Sequence, residues 1–174
     1  MVGCTGSGKS SLARKLSRQL QIEHVELDAV SFAQDWQLRP REEFRADVAR
    51  LVAGDRWVID GNYHQVRDLI WPRATAVVWL DRSLGCCLWR TFGRTVRRCW
   101  TGERVCGDNY ESWRQGFFST DSVLLWVLRI HAERRRELER DFASSAYAHL
   151  RFERIRSNRE SERFLAALPR HARD

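Results

Sequence analysis

The sequence predicts an α/β protein built on a parallel sheet, and three observations lead there. The stretch Gly3-Cys4-Thr5-Gly6-Ser7-Gly8-Lys9-Ser10 is a glycine-rich loop of the spacing G-x-x-x-x-G-K-S, and it opens a helical pattern. Short apolar runs ending in aspartate, WVID at Asp60 and VVWLD at Asp81, alternate with helical patterns. That alternation is what strands of a parallel sheet joined by crossover helices produce. The 174 residues hold no Pro/Gly/Ser-rich linker, repeat or low-complexity tract, so residues 1–174 read as a single domain.

The elements follow in order. Ser10 to Leu20 reads as a helix, because Leu12, Leu16 and Leu20 fall four apart on one face. His24 to Leu27 is a short strand, and a loop through Asp28 and Trp36 follows it. Pro40 suits the first residue of a helix reaching about Val52, which Gly54 ends. Arg56 to Asp60 and Ala76 to Asp81 are strands, the second apolar enough to be central. Leu84 to about Cys99 is a basic helix, with a polar loop around Gly102 and Gly107 beyond it. A long helix runs from about Asp121 to Phe142, and Leu150 to Ile155 is the last strand. Ser157 with Glu160 forms a capping box for a final helix ending near Leu168. Only Met1 and Val2 precede the glycine-rich loop, which normally follows a buried strand. The first strand is therefore expected to be truncated or missing, with a translation start upstream of Met1 as the simplest explanation and a stub at Met1-Val2 as the alternative.

Composition narrows the function classes. At 43% hydrophobic residues the chain has material for a core. The longest apolar run, Val123 to Leu128, is far shorter than the roughly 20 residues a bilayer needs, so no membrane span is expected. The polar, glycine-rich start is unlike a secretory signal, and a cytoplasmic location is expected. Cys4, Cys86, Cys87, Cys99 and Cys106 are odd in number and form no CxxC pair, so they are expected as free thiols without zinc. The net charge is +7, carried almost wholly by arginine; only Lys9 and Lys15 are lysines. Such a surface attracts anions, nucleotides or nucleic acid, although a solvated basic face is the ordinary reading. Most of the eight tryptophans are expected in the core.

The loop carries the chemistry. Gly3, Gly6 and Gly8 let the backbone N–H groups of Thr5, Gly6, Ser7, Gly8 and the following residues turn toward phosphate oxygens. The helix beginning at Ser10-Ser11 adds the positive end of its dipole. Lys9 is placed to reach the β- and γ-phosphates, and the Ser10 hydroxyl to ligate Mg²⁺. An acidic partner for Mg²⁺ is needed at the carboxyl edge of the sheet, where Asp60 and Asp81 end strands and Asp28 follows one. Asp60 leads into the turn Gly61-Asn62-Tyr63; Asp81, before Arg82-Ser83, also fits a helix cap. Arg90, Arg94, Arg97 and Arg98 line one side of the basic helix, with Arg104 beyond. Arginines followed by a loop fit a lid over phosphates, at about residues 84–120.

The segments GCTGSGKSSLARKL, RWVIDGNYHQVRDL, AVVWLD and WRTFGR resemble the adenylate kinase-like P-loop proteins, and within them the bacterial group labelled DNA topology modulation proteins. The likeness runs from Gly3 to about Leu168. It implies a P-loop NTPase fold of the nucleoside-monophosphate-kinase kind, with five parallel strands in the order 2-3-1-4-5. It also implies an ATP site and a mobile arginine lid. Asp60 would inherit the acidic role near Mg²⁺. Arg90 and Gly93-Arg94 look like lid arginines, and Arg156-Ser157-Asn158-Arg159 lies where kinases of this fold hold the adenine base. The D-G-F-P-R and T-G-D-x-L-R signatures of adenylate kinases are absent, with Asp60-Gly61-Asn62-Tyr63 and His24-Val25-Glu26-Leu27-Asp28-Ala29 in their regions. These departures speak against AMP as acceptor and leave the ATP end intact.

The expected activity is that of a small-molecule kinase moving the ATP γ-phosphoryl group to a nucleotide-like or other small hydroxyl or phosphate acceptor. Asp28 is the candidate for orienting an acceptor hydroxyl, Asn62 and Tyr63 for contacting the acceptor, and Phe32, Trp36 and Tyr63 for stacking on a base. The alternatives are a nucleotide-dependent regulatory ATPase acting on DNA or another macromolecule, and a toxin-like kinase acting on a nucleotide sugar or RNA end. No nucleic-acid-binding motif accompanies the charge. A monomer or homodimer is expected.

Overall fold

Strand and helix alternate from the first residues. The computed structural model describes residues 1–33, 36–105, 109–118 and 122–169. Cys106, Gly107 and Asp121, which the sequence places in the lid loop and at the start of the long helix, lie outside the described residues.

The elements are β1 (Val2–Gly3), α1 (Lys9–Leu20), β2 (Glu23–Glu26), α2 (Leu27–Ser31), α3 (Arg41–Val52) and β3 (Trp57–Asp60). Short helical turns at His64–Val66, α4 (Arg67–Ile70) and Trp71–Arg73 lead to β4 (Ala76–Leu80) and α5 (Leu84–Thr101). A small antiparallel pair, β5 (Arg104–Val105) and β6 (Asn109–Tyr110), and a π-helical turn at Arg114–Phe118 precede α6 (Val123–Phe142). β7 (Arg151–Ile155) and α7 (Asn158–Ala166) complete the described fold.

The architecture is α/β with small parallel sheets. β1, β4 and β7 form one, in that order, with Val2 opposite Trp79 and Leu80 opposite Ile155. β2 and β3 form a second parallel pair, with Glu26 opposite Asp60. The two sheets meet at Met1, whose amino group donates to the Ile59 carbonyl at 2.5 Å and whose carbonyl accepts from Gly61 N–H at 3.2 Å.

Helices pack on both faces. Val2, Val25, Trp71 and Trp79 bury against Phe44 and Val48 of α3 and Leu138 of α6. On the other side, Leu12 and Leu16 of α1 and Phe164 and Leu165 of α7 cover Val58, Val78, Leu80 and Ile155. The capping box forms as expected: Glu160 N–H donates to Ser157 Oγ at 3.1 Å, and Ser157 Oγ donates to Glu160 Oε1 at 3.0 Å. Pro40 falls at the N-cap of α3 and not inside its first turn.

Two expectations are corrected. Trp71 and Trp79 are buried, but Trp89, Trp100, Trp113 and Trp126 are exposed, at 75%, 82%, 45% and 52%. For Trp89 and Trp100 the reason lies in α5, which turns Cys87, Thr91 and Thr95 inward and Trp89, Phe92 and Trp100 outward. The arginines of α5 also do not act together. Arg97 pairs with Glu103 at 2.8 Å and Arg98 with Glu111 at 2.6 Å, so both are neutralised locally.

An ion-pair clamp ties α6 to α4. Arg67 donates to Glu137 at 2.5 Å and to Asp141 at 2.6 Å, and its guanidinium lies 4.6 Å from the centre of the Trp71 ring. Burial pushes the Glu137 carboxyl up, but the Arg67 bond and the charges of Arg134, Arg67 and His64 outweigh it and hold the group below its usual range. Because the folded value lies below the unfolded one, this stabilisation is complete above the ordinary carboxylate range. It is lost as pH falls through the folded pKa. Arg67→Ala is expected to cost about 2 kcal/mol near neutral pH, discounted for partial exposure, and much less in acid. Urea titrations of both proteins at neutral and acidic pH check this.

Candidate functional site

Both short strands β1 and β3 deliver their chains to the same edge, and the glycine-rich loop grows from it. Gly3, Gly6 and Gly8 have φ of 146°, 79° and 95°. These values belong to glycine and let the chain reverse twice within a few residues. Gly6 also lies hard against α5: a Cβ there would overlap the Cys87 carbonyl and stand 2.5 Å from Thr91 Oγ1. Ser7 N–H, expected to face phosphate, instead closes the loop onto the Cys4 carbonyl at 3.0 Å. Its side chain is fully buried under the loop beside Gly3.

Gly8 is the N-cap of α1, and no side chain among the described residues caps that helix end. Lys9 and Ser10 begin α1; Ser11 follows them and is exposed, and Thr5 is half-buried at the turn. Among the described residues, no hydrogen bond or ion pair ties the Lys9 ammonium. An uncapped helix end beside an unpaired cation is a strong local attraction for an anion.

Asp60, 2% exposed at the end of β3, sits next to this point. Its Oδ1 accepts from Ser10 Oγ at 2.9 Å, and its Oδ2 is 2.7 Å from His24 Nε2. The structure thus joins the predicted pair Ser10 and Asp60 and adds His24 on β2. Ligand atoms of His24, Glu26 and Asp60 lie within 4.8 Å of one another, close enough to hold a divalent cation. Nothing local in the segment 24–29 gives His24 a role. Alternation along β2 puts His24 and Glu26 on one face, and the parallel register sets that face beside Asp60.

Asn62 has a different role from the acceptor contact expected of it. Its Oδ1 accepts from Gly3 N–H at 3.0 Å and its Nδ2 donates to the Gly3 carbonyl at 2.5 Å. The side-chain amide imitates a neighbouring strand and fixes the root of the loop. Asn62→Ala is expected to cost about 2 kcal/mol, since two backbone groups lose their partners; chemical denaturation would measure it. Tyr63 donates its hydroxyl to Asp28 Oδ1 at 2.8 Å and lies 2.6 Å from Ser31 Oγ. Asp28 therefore stands half-buried at the start of α2, on the same side as the turn after β3. The aromatic set expected to stack on a base is divided: Tyr63 packs on Phe44, with centroids 5.2 Å apart, and Phe32 meets the Trp36 edge at 5.5 Å.

Of the expected lid arginines, Arg90 reaches the loop. It donates to the Ser7 carbonyl at 3.1 Å and to Asn158 Oδ1 at 2.8 Å, bridging the loop to the N-terminus of α7. Arg94, one turn on, is half-buried. Beside Arg90 opens a cleft of about 620 Å³ at the carboxyl ends of β4 and β7, lined by Arg82, Arg135, Arg156 and Ser157 among others. Arg159 is exposed and lies outside that lining. Asp81, weighed for Mg²⁺, is taken up by Arg154, which donates to its Oδ2 at 2.8 and 3.0 Å. Ser83 supplies the cap of α5 instead. Arg82 is 5% exposed; burial and the charge of Arg90 push its guanidinium below the usual range.

Fold and site together define an α/β protein with a glycine-rich loop that leads into an uncapped helix end at the carboxyl edge of parallel strands. Comparison with protein-family models gives no match, and comparison with curated proteins gives none. No helix among the described residues is long and apolar enough to cross a membrane.

Proposed function

We propose that this chain is an adenylate kinase-like P-loop phosphotransferase that binds MgATP on residues 3–10 and passes the γ-phosphoryl group to a small acceptor. The observation that carries this reading is the uncapped N-terminus of α1 with the unpaired Lys9 beside it and the Ser10–Asp60 hydrogen bond behind it. The five parallel strands then form one sheet in the order β2-β3-β1-β4-β7, supported by the two hydrogen bonds through which Met1 links Ile59 and Gly61.

The residues fit the Mg²⁺ that such a reaction uses. Ser10 and Asp60 would hold the ion, Asp60 directly or through water, with Asp60 already joined to Ser10 and His24. When bound, the ion supplies charge neutralisation across the β- and γ-phosphates. Lys9 balances charge on the transferring group, and Arg90 and Arg94 approach from α5. The cleft beside Asn158 and Arg156 takes the nucleoside end, with Arg159 at its rim. Asp28, with one oxygen held by Tyr63, keeps the other for an acceptor hydroxyl. Positioning and charge complementarity account for most of the catalysis in such a site.

The test is ADP release from MgATP across nucleoside monophosphates, nucleosides, sugars and small hydroxy acids, with Lys9→Ala as control. Stimulation by one acceptor class, lost in the control, is the expected result. A flat panel with MgATP still bound would contradict the kinase reading. The exposed Trp89, Trp100, Trp113 and Trp126 together with the +7 charge favour a second reading, a nucleotide-dependent ATPase acting on DNA or another macromolecule. DNA binding that weakens steeply with salt would support it.

A further inference from the structure

Two thiols meet where the loop touches α5. Cys4 lies within the loop and is 7% exposed; Cys87 lies in the first turn of α5 and is fully buried. Both pack with Val127 of α6 in one buried cluster, where the Cys87 thiol also donates to the Arg82 carbonyl at 4.0 Å. The loop backbone also lies close to that of Cys87, since a Cβ on Gly6 would overlap the Cys87 carbonyl. The helix that carries Cys87 also carries Arg90, which holds the Ser7 carbonyl. The contact between loop and helix is therefore bracketed by a thiol pair on one side and a guanidinium on the other.

We propose that Cys4 and Cys87 are a reversible oxidation site, a dithiol that hydroperoxides close to a disulfide, locking α5 against the glycine-rich loop. The lock bears on the site proposed above, and its effect on MgATP rests on that reading.

The chemistry balances with a hydroperoxide as oxidant. The Cys4 thiolate attacks a peroxide oxygen and the O–O bond breaks; with hydrogen peroxide, the departing hydroxide takes up a proton and leaves as water. Cys4 is then a sulfenic acid. Cys87 sulfur attacks Cys4 sulfur, the S–O bond breaks, and the hydroxyl leaves as a second water with the Cys87 proton. Two thiols lose two electrons, and the peroxide gains them. Cys4 suits the attacking role. The neighbouring Cys87 thiol lowers its pKa to about 7 against the opposing effect of burial, with His131 and Lys9 adding to the shift. Cys87 is pushed the other way, first by the neighbouring Cys4 and then by burial, so it stays a protonated resolving thiol. Oxidation should therefore speed up as pH rises through about 7.

The geometry also says what closing the bond does. Thr91 Oγ1 and Thr95 Oγ1 on the inner face of α5 are buried, with no hydrogen-bond partner among the described residues. Such atoms are costly, and they gain partners or water when the helix moves off. A covalent tie at Cys87 denies that movement.

The experiment treats the whole chain with hydrogen peroxide, maps its disulfides by peptide mass, and measures thermal midpoint and MgATP binding before and after a dithiol reductant. Cys87→Ser and Cys86→Ser are treated in parallel. The expected result is a Cys4–Cys87 bond in the wild type and in Cys86→Ser, and none in Cys87→Ser. The oxidised wild type should melt higher than the reduced and bind MgATP at least tenfold more weakly, with both changes reversed by the reductant. A bond that joins other cysteines, or no bond at all, would overturn the proposal. So would a Cys4–Cys87 bond that moves neither midpoint nor binding. If the reduced wild type fails to bind MgATP, the kinase reading fails by itself, and the bond and the melting shift still decide the oxidation site.

Discussion

Lys9→Ala is expected to lower MgATP-dependent turnover by about 10²–10³-fold, the usual consequence of removing one preorganised charge from a phosphoryl-transfer site. The fold should not notice. No hydrogen bond or ion pair among the described residues depends on the Lys9 ammonium, and Ala is a better helix former in the first turn of α1. The loss should appear in both kcat and MgATP affinity, because the cation meets the phosphates in ground state and transition state alike. Circular dichroism and thermal melting should match the wild type. A variant that is both inactive and unfolded would assign Lys9 to structure. A variant of unchanged turnover would remove the loop from the chemistry.

Asp60→Asn should have the next largest effect. The carboxylate is 2% exposed and holds Ser10 on one oxygen and His24 on the other. Asparagine keeps the shape and can still accept from Ser10 through Oδ1. It loses the negative charge that would anchor Mg²⁺ and its water. Turnover should fall about 10²-fold, and the Mg²⁺ concentration for half-maximal rate should rise. Stability should change by no more than about 2 kcal/mol, since the Ser10 bond survives and only the His24 contact is altered. A Mg²⁺ titration of rate separates the two roles: an unshifted Mg²⁺ requirement would make Asp60 a structural brace for Ser10.

The site was legible where chemistry is written in short spacing. The glycine pattern, the Ser157–Glu160 capping box and the aspartate ending WVID are local signals, and each is found at its expected place. Asn62 was misread because its side chain replaces a strand partner for Gly3, a long-range substitution that no local pattern reports. His24 was overlooked because its role depends on the register of β2 against β3, which puts its ring on Asp60. The tryptophans show the limit of periodicity. The helix α5 has an aromatic face and a Cys/Thr face, and a hydrophobic pattern predicts the aromatic face inward. The loop needs Gly6 pressed on the α5 backbone, so the small residues Cys87 and Thr91 face it and the aromatics face out. The arginines of α5 looked alike in sequence. Glu103 and Glu111, from segments beyond the helix, neutralise two of them and leave Arg90 to reach the loop.

The most direct measurement is calorimetric titration of the reduced chain with MgATP, repeated with MgADP, AMP and inorganic phosphate and with the Lys9→Ala variant. Binding at one site per chain, stronger for MgATP than for AMP and lost in Lys9→Ala, is the predicted result. No heat of binding for any phosphate compound, or binding that Lys9→Ala leaves unchanged, would contradict the assignment of residues 3–10 as a phosphate site.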